Sequence, residues 1–158
     1  MKNWSFWQRL LLALLLCFGV AALGGWANAQ GLEDWYPQLQ KPSFNPPGYL
    51  FGPVWTLLYT LMAIAWADIE GQKHKASAKA RFVFLLQLGL NGLWSFLFFF
   101  AQSPGAALVE IALLWASIFY CIRLFWSIRP RAAYLLIPYL AWVSFAALLN
   151  ASIYLLNS

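Results

Sequence analysis

Phe82 to Ala101 reads FVFLLQLGLNGLWSFLFFFA, an apolar run without a single charge. About 20 apolar residues are what a helix needs to cross the hydrocarbon core of a bilayer, where lipid offers the backbone no hydrogen-bond partners. Four more apolar runs surround it, at Leu10 to about Trp26, about Tyr49 to Ala67, Ala106 to about Trp126 and Ala132 to Leu156. The expected fold is all-α: an integral membrane bundle of five transmembrane helices forming a single domain over 1–158, with a loop at 30–48. Composition agrees, because only 9% of the chain is charged and 63% is hydrophobic, whereas soluble domains carry about 25% charged residues.

The first run has a rival reading. Lys2 and Arg9 precede it and Ala27, Asn28 and Ala29 follow it, a pattern like a signal-peptide cleavage site. Signal h-regions span about 7–15 residues, and this run is longer, which favours a retained helix. Charge placement fits five alternating spans. Lys2, Arg9, Lys73, Lys75, Lys79, Arg81, Arg123, Arg129 and Arg131 fall on one side and only Lys41 on the other. By the positive-inside rule the N-terminus is expected in the cytoplasm and the C-terminus outside.

The formal net charge of +5 does not point to nucleic acid, because the basic residues sit in short clusters between spans. Cys17 and Cys121 lie far apart inside apolar runs and read as buried, inert thiols. The single histidine, His74, sits in a charged loop, so no metal site is expected within the membrane. No Ser/His/Asp set, paired carboxylates within a span or glycine-rich phosphate loop is present, which argues against hydrolysis and phosphoryl transfer.

What remains is a set of helix faces. Gln87, Asn91, Trp94 and Phe98 recur at helical spacing on the third span, and their amides serve either as interhelical hydrogen-bonding groups or as ligand contacts. Trp55, Tyr59, Met62 and Trp66 form a stripe on the second, and Pro138, Trp142, Ala146 and Asn150 recur every four residues on the fifth. Indoles gain nothing over leucine against lipid, so three inward stripes joining large rings to small residues are expected to enclose a flat hydrophobic ligand. Pro53 and Pro138 are expected to interrupt helical hydrogen bonding near the cavity. Glu110 is the one carboxylate within an apolar run, placed either in the membrane or at its interface. Small residues four apart, at Ala21 and Gly25, Ala63 and Ala67, Ala112 and Ala116, and Ala147 and Ala151, permit a homodimer without specifying its face.

The string WYPQLQKPSFNPPGYLFGPVWTLLYTLM, Trp35 to Met62, resembles the signature of the tryptophan-rich sensory protein and translocator protein family. QLGLNGLWSFLFF, Gln87 to Phe99, and PYLAWVSFAALLN, Pro138 to Asn150, resemble its third and fifth helices. The resemblance implies a five-helix bundle, commonly dimeric, with a pocket open toward the proline-rich loop. It implies porphyrin as ligand or substrate, sterols or drug-like ligands in some members, and no required cofactor. Carried over by motif, Trp55, Asn91, Trp94, Trp142 and Ala146 are the pocket candidates, and Pro46, Pro47, Tyr49 and Phe51 match the loop and rim. Light-dependent porphyrin degradation is a further expectation, with Trp55 and Trp142 as electron or hydrogen donors. Lys41 and the loop amides are the groups expected to meet porphyrin propionates. The chain has Phe44, Tyr49 and Ala106 where many relatives have tryptophan. Tyr154 is not followed by the basic residue of the sterol-type motif, so porphyrin ranks above cholesterol.

Overall fold

The computed structural model describes residues 4–158; Lys2, counted above among the orientation charges, lies outside them. Five segments are long and apolar enough to cross a membrane: Phe6–Leu32, Gly48–Glu70, Ser77–Phe100, Pro104–Ile128 and Pro130–Leu156. The described residues include no strand. The protein is an all-α, multi-pass membrane protein.

Helix α1, Phe6–Leu32, outruns its apolar stretch at both ends. Ser5 caps its start reciprocally with Gln8: the Gln8 amide donates to Ser5 Oγ and the Ser5 amide to Gln8 Oε1. Both would otherwise be orphan donors of the first turn. Helix α2 is Phe51–Glu70 and α3 is Ser77–Ser95, the latter running on into a π-helical turn at Phe96–Phe100. Gln102, with φ of 52°, turns the chain into α4, Pro104–Ile128, whose first turn is capped by Ser103 Oγ.

The fifth span differs from the single helix expected over 132–156. It consists of α5, Pro130–Tyr134, and α6, Ile137–Leu156, separated at Leu135 and Leu136. Arg129 is extended because Pro130 follows it, which separates α4 from α5. Pro53 and Pro138 do not break helical ladders. They occupy the first turns of α2 and α6, where amide groups have no intrahelical partner to lose.

The bundle is solid at one end and hollow at the other. In the solid half Trp66 lies 6.0 Å from Phe84, which stacks on Phe125 at 6.2 Å. Met62, Cys17 and Cys121 are buried in the same core. Below this core, charges tie the helix ends together. Asp68 accepts from Arg129 at 3.1 Å and from Arg131 at 2.7 Å, Glu70 pairs with Arg81 at 2.7 Å, and Arg9 Nε donates to the Ala67 carbonyl. At the hollow end the loop between α1 and α2 is clasped to the end of α6. Asn157 Oδ1 accepts from the Gln40 amide and Asn157 Nδ2 donates to the Gln40 carbonyl, both at 2.9 Å.

Candidate ligand cavity

A cavity of about 470 Å³ occupies the hollow half, walled by α1, α2, the end of α3, α4 and α6 and covered by the α1–α2 loop. Its size falls within the range of about 300–1,000 Å³ typical of small-molecule sites. The floor is a hydrogen-bonded triad across three helices. Tyr59 on α2 donates its hydroxyl proton to Asn91 Oδ1 on α3, and Asn91 Nδ2 donates to the Tyr139 hydroxyl oxygen on α6 at 2.9 Å. All three side chains are buried. Trp55 packs over the triad, 5.4 Å from the Tyr59 ring and 6.2 Å from that of Tyr139.

The walls follow the same economy. Trp94 Nε1 donates to Asn150 Oδ1 at 3.0 Å, and Asn150 Nδ2 donates to the Pro104 carbonyl at 2.8 Å, joining α3, α6 and the start of α4. Trp94 also stacks on Phe98 at 4.9 Å. Trp142 presents its indole beside Phe51, with ring centroids 5.9 Å apart. At the roof, the Tyr36 hydroxyl donates to Asn45 Oδ1 at 3.0 Å. Burial raises the Tyr36 phenol above its ordinary value, only partly offset by that hydrogen bond, so it acts as a neutral donor.

Nine sequence candidates line this one cavity: Trp55, Tyr59, Asn91, Trp94, Trp142, Ala146, Asn150, Pro46 and Phe51. Three do not. Gln87 is one turn below Asn91 and outside the lining, with both amide atoms buried and unpartnered. The helical stripe that carries it continues past the floor into the solid core, as Met62 and Trp66 also do. Tyr49 is 77% exposed and Pro47 is exposed beside it, because the short 3-10 turn Gly48–Leu50 points them away from the interior. Lys41 is not in the lining either; its Nζ sits 4.7 Å above the Tyr36 ring and donates to the Leu39 carbonyl. Glu110 lies inside α4, both carboxylate oxygens buried and unpartnered, and outside the cavity lining.

Sequence reasoning missed the α1 wall, which includes Phe18, Gly24 and Asn28, and it missed Tyr139. Asn28 carried a signal, as a polar residue at the end of an apolar run, but the neighbouring alanines read as a cleavage site. Tyr139 lies three residues before Trp142, on the same face, within the fifth-span motif.

Known proteins place this architecture. Residues 13–156 match the TspO/MBR family. The chain is 42% identical over 154 residues to the tryptophan-rich protein TspO of Archaeoglobus fulgidus, covering 95% of this chain and 97% of that protein. It is 42% identical over 157 residues to the protein of the same name from Chlorobaculum tepidum, covering 95% and 99%. The human translocator protein is 38% identical over 127 residues, 78% of this chain and 74% of its own. With family match and relatives both spanning most of its length, the chain belongs to the TspO/MBR family.

Proposed function

We propose that the protein is a membrane receptor for porphyrins, held in the aromatic cavity between Trp55 and Trp142. The observation that carries this reading is the cavity lining: several large rings, no charged side chain among the described residues and a polar floor already paired. A tetrapyrrole offers a broad apolar face to such rings, and its polar side arms lie toward the loop end of the cavity. Protoporphyrin titrated against tryptophan fluorescence in detergent is expected to bind. A Trp55→Phe plus Trp142→Phe double variant is expected to bind about tenfold more weakly, through loss of indole area at both faces. Unchanged affinity removes the pocket assignment.

The same site supports light-dependent porphyrin degradation, with Trp55 or Trp142 supplying an electron or hydrogen to the excited ring or to oxygen-derived species. Illumination of the loaded protein is expected to bleach the porphyrin band faster than in free pigment, and equal rates leave a binder only.

A second reading, movement of tetrapyrroles, sterols or other amphipathic molecules across the membrane, is favoured by the relatives named translocator protein. Flux into sealed vesicles containing purified protein separates it from a receptor. We also infer a cytoplasmic N-terminus, an external C-terminus and a homodimer. Of the small-residue pairs, Ala63 and Ala67 are buried within the bundle and Ala21 and Gly25 line the cavity. Ala112 and Ala116 stay exposed on α4, free to meet a second copy.

A further inference from the structure

Four asparagines line the cavity: Asn28, Asn45, Asn91 and Asn150. Three have assigned partners within the protein. Asn45 accepts from Tyr36, Asn91 bridges Tyr59 and Tyr139, and Asn150 bridges Trp94 and the Pro104 carbonyl. Asn28 has none among the described residues, and its Oδ1 is buried without a partner. An unpaired amide in an apolar wall destabilises the empty protein, which makes its presence informative.

Its placement is specific. On α1, Asn28 lies between Gly24, where an added Cβ would come 3.3 Å from Ser95 Oγ, and Gly31, where it would collide with the Phe99 carbonyl oxygen. Those contacts press α1 against the end of α3, so Asn28 and the Ser95 hydroxyl share one wall of the cavity. Among the described residues no Lys, Arg, His, Asp or Glu lines that cavity. A polar ligand atom inside it therefore has only neutral groups to meet, and Asn28 is the one side-chain amide left unengaged.

We propose that Asn28 is the point at which the cavity reads a carboxyl arm of its ligand, the buried Oδ1 accepting the acid O–H while the ring lies against Trp55 and Trp142. This inference rests on the porphyrin reading above and makes Asn28 a specificity residue. A free carboxyl arm, neutral in a cavity without charged partners, supplies the donor; its methyl ester and an all-alkyl porphyrin do not.

The test compares protoporphyrin IX, its dimethyl ester and an oxygen-free alkyl porphyrin on wild-type protein and on Asn28→Leu. Asn28→Ala serves as a second variant if leucine crowds the wall. The variants are expected to lose roughly three- to tenfold in affinity for the free acid and nothing for the other two, the range of one neutral hydrogen bond. The ligand-free thermal midpoint is expected to hold or rise, since an orphan polar group has been removed. A loss shared equally by the ester or the alkyl porphyrin, no loss for the free acid, or a fall in the ligand-free midpoint overturns the assignment of Asn28 alone. Wild-type protein that binds none of the three overturns the porphyrin reading and this inference together.

Discussion

Asn91 and Asn28 are the same residue type in the same cavity with opposite energetic roles. The Asn91 amide is consumed by two phenols, so it organises the floor whether or not a ligand is present. Asn91→Leu strands the Tyr59 and Tyr139 hydroxyls in a buried layer, where each unpaired polar group costs about 1–3 kcal/mol. The variant is expected to unfold at distinctly lower temperature or denaturant than wild type, in contrast to Asn28→Leu; denaturation in detergent micelles reads the difference. The sequence reading put interhelical hydrogen bonding ahead of ligand contact for Asn91, and in the structure it bonds two helices and also lines the cavity. Gln87 shared its stripe and was indistinguishable from it, because helical periodicity records direction around an axis and not depth along it. Where the hollow stops depends on a tyrosine from another helix.

Among the elements, α1 depends most on close approach. An added Cβ at Gly31 would strike the Phe99 carbonyl oxygen, a backbone atom that cannot rotate aside. Gly31→Val is therefore expected to push α1 away from the π-helical turn at Phe96–Phe100, costing about 1–3 kcal/mol as overpacking does. It should also weaken porphyrin binding, since α1 forms one cavity wall; a thermal scan and a fluorescence titration check the two effects. The five spans were legible because apolar length reports hydrocarbon thickness directly. Helix ends were less so. Ser5 and Gln8 extend α1 with polar capping chemistry that a hydropathy run does not include. The break between α5 and α6 falls inside an uninterrupted apolar stretch, where its one local sign was Pro138, two residues after the gap and suited to a first turn.

At the scale of the molecule, ion pairs and open space lie at opposite ends. The counting of basic residues foresaw a polarised chain, but not that Asp68 and Glu70 hold Arg129, Arg131 and Arg81, because those partners are far apart in sequence. The proposed orientation predicts that Lys75→Cys and Ser43→Cys react with a membrane-impermeant maleimide from opposite faces of oriented vesicles. Buried Cys17 and Cys121 contribute little background, and labelling of both sites from one face contradicts the topology. The division into a solid and a hollow half also sets a gradient of stiffness along every helix that crosses it. Amide deuteration in micelles should be slow around Ala63–Ile69, where side chains fill the interior, and quicker around Gly24–Asn28, where one flank is void. A bound guest would slow the second region and leave the first alone, so the breathing of the upper turns reports occupancy without any label on the guest.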